Sequence, residues 1–477
     1  MKAFLRICAL LLCAVIGLGT VSCSLADMDG IYAPGASNGD ASPDYYPPMD
    51  GDIAFGDGAG SSDLGGSDAW FDDTADGAED DMAMPEGSLE GSTDISDGGS
   101  EGGSEGGSEG DSDKNGTTQR PAGLITAGAW NDNDNYALWD ELFVQGENEG
   151  KFNFYLNGGW HFNSFNRIAV DVKTSDGTPV KGAYVEAWDG NGKCLYKAVS
   201  DTNGKAYLFG CKDAAYVSAS SGAFAASTEV TDENKDALTV TLDVADTVHN
   251  VIDLMFVIDV TGSMGDELNY MKNELHDVIS RVAKSNTGAT VNLALLFYRD
   301  TTDHEMIAYY DFLDCTANEN LERQLSALTS QYAGGGGDYP EAVDDALMLA
   351  MTKQWSTGAT TKLVFHLLDA PPHAEEENRE KYYNAVMLAA QMGIRICPII
   401  CSGTNTLTEY LVREAAIHTG GTFIYITDDS GIGNPHHDPE LPNVVIEALN
   451  DMLVRLINGY HTGEFAPPVY YKSSIGA

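Results

Sequence analysis

The pattern of apolar and polar positions changes near residue 250. After that point, short unbroken apolar runs alternate with longer amphipathic segments, which predicts buried strands separated by helices. The predicted strands are VIDLMFVID, VNLALLFY, TKLVFHLLD, IRICPIIC and TFIYITD, and the predicted helices include DELNYMKNELHDVISRVAK and NVVIEALNDMLVRLING. This alternation over 250–460 predicts an α/β domain with an open, mainly parallel, Rossmann-like sheet. Helices on both faces of such a sheet explain why its strands are apolar throughout.

An all-β region precedes the α/β domain. Apolar and polar residues alternate with a period of two in RIAVDV, GAYVEAW, KAYLFG and LTVTLDV, which predicts half-buried strands. The turn sequences DGNGK and DTNGK separate them, with Asp189 and Asp201 as hairpin-turn residues. The pattern predicts a small all-β sandwich over 166–245. Residues 121–165 form an aromatic, turn-rich segment before it, and 461–477 form a C-terminal tail.

Charge and composition separate the first part of the chain from the rest. The net charge is −47, from 73 acidic and 26 basic residues. This argues against nucleic acid as a partner, because nucleic-acid binding needs a basic surface. Residues 23–120 are rich in Gly, Ser, Asp and Glu, as in DGGSEGGSEGGSEGDSD. Such a composition buries too little apolar surface to fold, so it predicts a disordered, acidic Gly/Ser-rich tether.

The N-terminus has the pattern of an export signal. Lys2 and Arg6 accompany the apolar stretch LRICALLLCAVIGLG, which is too short for a comfortable membrane span. Residues 1–22 are therefore predicted to be a signal peptide. The sequence TVSC resembles the lipobox of bacterial lipoproteins, although Thr20 stands where an aliphatic residue is usual. The resemblance implies lipidation of Cys23.

A lipid anchor implies a location in the cell envelope, with membrane contact only through the anchor. Ser24 after the cysteine favours the outer membrane of a diderm bacterium, and the side that the protein faces stays open. The alternative is an ordinary secretory signal cleaved near Ser22, which would leave no anchor.

Five cysteines remain once the predicted signal and the lipidated cysteine are set aside. Cys194 and Cys211 lie in the all-β region and are candidates for pairing in an oxidising compartment. Cys397 and Cys401 of RICPIIC are expected to be small core residues. Cys315 makes the number odd, which excludes complete intramolecular pairing, and the chain has no CxxC motif for a cysteine zinc site.

Three aspartates are predicted to lie at one edge of the parallel sheet. Asp259 ends the first strand, Asp369 ends a later one in LLDAPPH, and Asp338 follows a glycine run in GGGGDYPE. Ligands of such sheets bind beyond the carboxyl ends of the strands. Each aspartate alone is consistent with a helix cap, but three together repel one another unless a cation neutralises them. Because Thr261 and Ser263 add hydroxyl oxygens, the site suits Mg²⁺, or Mn²⁺ or Ca²⁺, and not zinc.

The motif DVTGSM resembles the metal-ion-dependent adhesion site of von Willebrand factor type A domains, and GGGGDYPE and DAPPH resemble its second and third loops. By this resemblance Asp259, Thr261 and Ser263 map onto the first metal-site loop, with Ser263 as a direct ligand, and Asp369 maps onto the third. Thr261 replaces the usual serine and keeps its hydroxyl. Asp338 stands where integrin-type members have threonine, so direct ligation, ligation through water and helix capping all stay open.

These resemblances imply a non-enzymatic adhesion or assembly module on a lipid-anchored tether. The cation would be Mg²⁺, with a coordination position left for a carboxylate of a protein partner. DVKTSDGTPVKGAYVEAW resembles the carboxypeptidase regulatory-like β-sandwich, which is usually a spacer or docking element. The alternative function is therefore a structural scaffold in which the β-sandwich chooses the partner.

A hydrolase is the least favoured class. The sequence TGSMG places Thr261 two positions before Ser263, so it has no G-x-S-x-G nucleophile elbow. His373, just after Asp369, is expected to be structural rather than catalytic. The adjacent histidines of PHHDPE are expected to be exposed, and a transition-metal site there is the minor alternative.

Overall fold

The structure, a computed structural model, describes residues 125–144, 151–245, 249–427, 436–442 and 444–470. The predicted signal peptide, the lipidated cysteine and the acidic tether lie outside these residues, so their predictions stay untested. Within the described residues, no helix is both long enough and apolar enough to cross a membrane.

One eight-stranded sheet forms the centre of the α/β domain, in the order β11-β10-β9-β12-β13-β14-β1-β15. The parallel strands are β9 (His249–Asp259), β10 (Thr290–Tyr298), β12 (Ala359–Leu368), β13 (Arg395–Ile400) and β14 (Phe423–Ile426). The antiparallel additions are β11 (Ile307–Asp314) at one edge, and β1 (Thr126–Trp130) and β15 (Glu447–Ala448) at the other. The predicted α/β class with a mainly parallel sheet is confirmed.

Helices cover both faces of this sheet and bury its strands. The helices are α1 (Tyr136–Glu141), α2 (Gly265–Ser285), α3 (Asn318–Ser330), α4 (Val343–Met351), α5 (Glu376–Met392), α6 (Thr406–Thr419) and α7 (Leu449–Thr462). Along β9, Leu254, Phe256 and Ile258 contribute to one apolar core, and Met255 and Val257 contribute to the other. This two-sided burial accounts for the unbroken apolar sequence of the central strands.

Two small sheets lie between β1 and β9 in the sequence. One contains β2 (Ile168–Lys173), β5 (Lys205–Leu208) and β8 (Leu238–Thr241), and the other contains β3 (Tyr184–Asp189), β4 (Cys194–Val199), β6 (Ala214–Ser221) and β7 (Phe224–Glu229). Their buried residues share one core, which includes Val170 and Val185. Asp189 and Asp201 each accept two backbone hydrogen bonds inside a hairpin turn, as turn residues do. The five described cysteines are all free thiols, so Cys194 and Cys211 do not pair.

The edge of the large sheet differs from the predicted pattern. The strand β1 comes from the aromatic segment before the small sheets, yet it pairs with β14 through Ala127 and Ile426 and with β15 through Thr126 and Ala448. Because β15 takes part in this pairing, the helix predicted for NVVIEALNDMLVRLING begins only at Leu449. The aromatic segment therefore belongs, at least through β1, to the α/β sheet.

Arg413 of α6 joins the aromatic segment to the rest of the α/β domain. Its guanidinium is 1% exposed and donates to both carboxylate oxygens of Asp132, at 3.0 and 2.6 Å, and to Glu409 at 2.8 Å. The rings of Trp139 and Phe152 pack near it, with centroids 5.2 and 5.3 Å from the guanidinium carbon. We call these residues the arginine cluster.

The arginine cluster also accounts for one histidine of PHHDPE. His437 was expected to be exposed, but its side chain is only 17% exposed, and its Nε2 lies 2.7 Å from the second oxygen of Glu409. The expectation was wrong because Glu409 is a buried acid that has hydrogen-bonding capacity left for the imidazole.

Candidate metal site

The predicted site lies where β9 and β12 end. The two strands are parallel neighbours, with Ile258 opposite Leu367, so their carboxyl ends open at the same edge of the sheet. The glycine loop 334–337 crosses the end of β9, since Gly334 N donates to Val260 O at 3.0 Å. Gly262 N in turn donates to Gly335 O at 3.3 Å. The fold thus brings the three predicted loops together.

The carboxylate of Asp259 is completely buried at the centre of this site. Its Oδ1 accepts hydrogen bonds from Thr261 N at 2.8 Å and Thr261 Oγ1 at 2.7 Å. Its Oδ2 has no hydrogen-bond partner among the described residues. Burial, and then the charge of Asp369, raise the pKa of Asp259 to about 7 despite the bonds from Thr261. Asp259 is not a helix cap, because Met264 occupies the N-cap position of α2.

Asp369 and Ser263 are the other predicted residues that lie close to Asp259. The Ser263 hydroxyl lies 3.5 Å from Thr261 Oγ1, and it is close enough to Asp369 to favour the charged form of that carboxyl and so act to lower its pKa. Burial is the main reason why the pKa of Asp369 is raised to about 6, with a smaller opposing effect from Ser263. Asp259, Thr261, Ser263 and Asp369 therefore gather at one place, with Ser263 on the exposed side.

The acid of the GGGGDYPE motif that is buried at the site is Glu341, not Asp338. The side chain of Asp338 is exposed, whereas Glu341, three residues later, is 4% exposed. Glu341 Oε2 has no hydrogen-bond partner within the described part of the chain. Burial, and then the charges of Asp259 and Asp300, raise the pKa of Glu341 to about 9. Glu341 is thus a buried acid of the site that sequence reasoning missed, although it stands in the quoted motif GGGGDYPE.

Two other acids nearby already accept hydrogen bonds. Asp300 Oδ1 lies 2.8 Å from His373 Nε2, and its Oδ2 accepts from Thr302 Oγ1 at 2.7 Å. Burial acts to raise the pKa of Asp300, but the bonds from His373 and Thr302 outweigh it and the pKa is lowered. Asp303 Oδ2 accepts from Gly336 N at 2.8 Å, which holds the glycine loop. Both oxygens of Asp300 and one oxygen of Asp303 are thus engaged by neighbouring donors.

The donor set fits a hard divalent cation. It consists of carboxylate and hydroxyl oxygens, and two of the buried carboxylate oxygens are unpaired. The guanidinium of Arg299 does not compensate them, because it donates to the backbone oxygens of Gly334 and Tyr332 at 2.8 and 2.9 Å. Across the described ranges, no three Asp, Glu, His or Cys side chains converge into a preformed metal cluster. The candidate site combines carboxylate oxygens with the hydroxyl oxygens of Thr261 and Ser263.

Comparison with known proteins identifies the class of this region. Residues 253–425 match the sequence model of a family described as von Willebrand factor A domain. This part of the chain is therefore a von Willebrand factor A domain, as the resemblance of DVTGSM implied.

The chain is also similar to individual proteins. It is 28% identical over 195 residues to the putative ariadne-like RING finger protein R811 of Acanthamoeba polyphaga mimivirus, with 37% of this chain and 18% of that protein covered. It is 26% identical over 133 residues to the alpha-protein kinase vwkA of Dictyostelium discoideum, with 26% and 19% covered. The chain thus spans less than a fifth of the length of these curated relatives.

Among solved structures, the pilus adhesin SpaC from Lactobacillus rhamnosus GG is similar at 10% identity. That similarity covers 52% of this chain and 32% of the adhesin, with a TM-score of 0.31.

Proposed function

We propose that the von Willebrand factor A domain holds a divalent cation, Mg²⁺ or alternatively Mn²⁺ or Ca²⁺, and through it binds a carboxylate of a partner protein. The observation that carries this proposal is the buried Asp259 carboxylate, whose Oδ2 is unpaired among the described residues. An ionised carboxylate is costly to bury unless a cation or hydrogen-bond donors replace its water. Because Asp369 adds a second acid beside it, a cation would stabilise both.

The proposed ligands come from the first and third loops. Thr261 occupies Oδ1 of Asp259 with two hydrogen bonds, which leaves Oδ2 as the atom able to ligate. Ser263 and Asp369 supply the neighbouring oxygens. When bound, the cation would supply positive charge and a coordination position for a carboxylate that this acidic chain would otherwise repel. Gly262 and Ser263 are exposed, so a partner can approach this side.

The proposed setting is the cell envelope, with an adhesion or assembly role rather than catalysis. The export-signal pattern, the lipobox resemblance at Cys23 and the acidic tether 23–120 support an anchored module that reaches away from a membrane.

Metal binding is the first test of this function. The full chain, treated with chelator, is titrated with Mg²⁺, Mn²⁺ and Ca²⁺ in a calorimeter beside the variant Asp259→Ala. We expect one cation per chain for the wild type and none for the variant. Asp232→Ala is the matched control, because the Asp232 side chain is fully exposed in the all-β region.

Partner recognition is the second test. A random peptide library is panned against the protein in Mg²⁺ and eluted with EDTA. We expect the eluted peptides to contain Asp or Glu and to lose binding to the Asp259→Ala variant. Peptides that stay bound in EDTA, and that bind this variant equally well, would instead support the scaffold in which another surface chooses the partner.

A further inference from the structure

We infer that the acidic stretch 101–113 of this chain supplies a carboxylate to its own metal site, so that a partner has to displace it. This inference rests on the proposed function, since the coordination position of the same cation is involved. The predicted tether is then an intramolecular competitor of the partner as well as a spacer.

The chain enters the large sheet at the edge where the candidate metal site lies. One row of residues paired across the sheet runs from β9 to β1 and consists of Ile258, Leu367, Ile399, Ile424 and Ala129. Because β1 is antiparallel to β14, the residues before Ala129 run toward the carboxyl ends of the parallel strands. The first described residue, Ile125, therefore lies on the same side of this row as Asp259.

The distance along this edge is short. The strand order β9-β12-β13-β14-β1 places β1 four strands from β9. Neighbouring strands lie about 4.8 Å apart, so the two strands are separated by about 19 Å. The point where the tether joins the fold is thus roughly 20 Å from the candidate site.

The sequence before Ile125 has the length that such a span requires. Residues 114–124 contain no Asp or Glu, and Asp113 stands twelve residues before Ile125. A linker of this length with the flexibility of a Gly/Ser-rich chain has a root-mean-square end-to-end distance of about 17–21 Å. An intramolecular ligand reaches its highest effective concentration, on the order of millimolar, when this distance matches the span. Asp113 meets this condition, and four further acids precede it at increasing distance: Asp111, Glu109, Glu105 and Glu101.

Charge makes this contact dependent on the cation. Asp266 and Asp338 are exposed acids that follow the first loop and the glycine loop, and they repel the acidic stretch when no metal is bound. A divalent cation beside Asp259 places two positive charges at one point, and the exposed residues Gly262 and Ser263 leave this side open. The carboxylate of the tether therefore binds only to the metal-loaded protein.

A tether that is only a spacer is the competing explanation, and two variants of the full chain separate the two. The proximal variant carries Glu101→Gln, Glu105→Gln, Glu109→Gln, Asp111→Asn and Asp113→Asn. The distal variant loses the same number of charges farther from the fold, through Asp63→Asn, Asp68→Asn, Asp72→Asn, Asp73→Asn and Asp76→Asn. Effective concentration falls roughly as the −3/2 power of linker length, so the distal acids contribute about eightfold less or lower still.

Water-proton relaxation by bound Mn²⁺ is the measurement, because it reports the water molecules that remain on the ion. A carboxylate of the tether replaces water, so we expect lower relaxivity per bound Mn²⁺ in the wild type than in the proximal variant. We also expect Mn²⁺ to bind the proximal variant about threefold more weakly, because a ligand is lost. The distal variant should match the wild type in both respects.

A peptide probe then tests the competition directly. The synthetic peptide EGGSEGDSD, with the sequence of residues 105–113, is added at millimolar concentrations to the Mn²⁺-loaded proteins. It should lower the relaxivity of the proximal variant at concentrations about threefold below those that the wild type requires, because no tether carboxylate has to be displaced. Circular dichroism spectra and melting temperatures in EDTA check that all three proteins fold alike.

The outcomes distinguish this inference from the proposed function. Equal relaxivity and Mn²⁺ affinity in the wild type and the proximal variant, or equal changes in the two variants, would overturn the inference and leave the proposed function standing. A folded wild-type chain that binds no divalent cation would instead overturn the proposed function itself.

Discussion

The arginine cluster and the candidate metal site both bury acidic side chains in the α/β part of the chain. They differ in whether a positively charged side chain pairs with those acids. In the arginine cluster, Arg413 donates to Asp132 and Glu409, and every distance is 3.0 Å or less. At the candidate site, Asp259 and Glu341 each keep a buried oxygen that no described residue pairs. The acids of the arginine cluster have a positive charge within the fold, whereas in the proposed function an external cation would supply the charge for those of the candidate site.

The largest expected effect concerns the arginine cluster, where a positive charge pairs with the buried acids. Arg413→Met removes the positive charge and leaves Asp132 and Glu409 buried without it. We expect a free energy of unfolding lower by roughly 3–5 kcal/mol, as found when one partner of a buried ion pair is lost. Chemical denaturation measures it. Arg281→Met is the control: its ion pairs with Asp277 and Asp451 are half-exposed, so about 1 kcal/mol or less is expected. Equal losses in both variants would break the comparison.

Replacing an aspartate by asparagine should change the stability of the protein in opposite directions in the two regions. Without metal, Asp132→Asn destabilises the protein because Arg413 loses a partner, but Asp259→Asn leaves the stability equal or higher because repulsion with Asp369 is relieved. With metal at a hundred times its dissociation constant, the wild type gains about 2.7 kcal/mol and Asp259→Asn gains nothing. Urea unfolding in EDTA measures the change in stability without metal, and urea unfolding in Mg²⁺ measures the stability gained from the cation. Destabilisation of metal-free Asp259→Asn would contradict the prediction.

The pH dependence of stability should come from the candidate site. Burial, and then neighbouring carboxylates, raise the pKa of Asp259 to about 7 and of Glu341 to about 9. The folded state then keeps protons that the unfolded state releases, so stability present below about pH 4 is lost as pH rises toward 9. Melting temperatures in EDTA should fall over this range.

Mg²⁺ provides the control for the pH prediction. Because a bound cation requires deprotonated ligands, saturating Mg²⁺ should flatten or reverse the fall in melting temperature. An equal fall with and without Mg²⁺ would mean that the titrating groups lie elsewhere.

The smallest expected effect concerns the orientation of Asp259. Thr261→Val removes the hydroxyl that donates to Oδ1 at 2.7 Å, and Thr261→Ser keeps it. We expect Mg²⁺ affinity to fall about tenfold in the Val variant and to stay near the wild-type value in the Ser variant. Calorimetric titration measures both. Similar affinities in the two variants would show that the hydroxyl neither orients the acid nor ligates.

The sequence was enough to bring most residues of the candidate site to attention, because much of that site is local. Asp259, Thr261 and Ser263 follow directly from an apolar strand, and Asp369 ends a parallel neighbour at the same sheet edge. Glu341 was missed for a physical reason. Its burial depends on the path of the glycine loop, where Gly335 and Gly336 have positive φ angles, and on contacts with the distant residue Pro371, which the local sequence does not contain.

The fold also contains parts that the sequence predicts and parts that it does not. The central strands and their helices follow from hydrophobic periodicity, and the parallel sheet follows from their alternation. The pairing of β1 with β14 and β15 joins residues about 300 positions apart, as Thr126 and Thr427 Oγ1 atoms do at 2.7 Å. Strands of five and two residues carry too little periodicity for a sequence pattern to predict that partnership.

The position of β1 determines how mechanical load would enter this protein. A pull on the chain N-terminal to Ile125 acts first on β1, whose hydrogen bonds pass the force to β14 and then across the sheet toward the end of β9. The two small sheets come after β1 in the sequence, so they lie outside this force path. If residues 23–120 form the predicted tether, a partner at the proposed metal site would be connected to it through the large sheet, and unfolding of the all-β region would not break that connection.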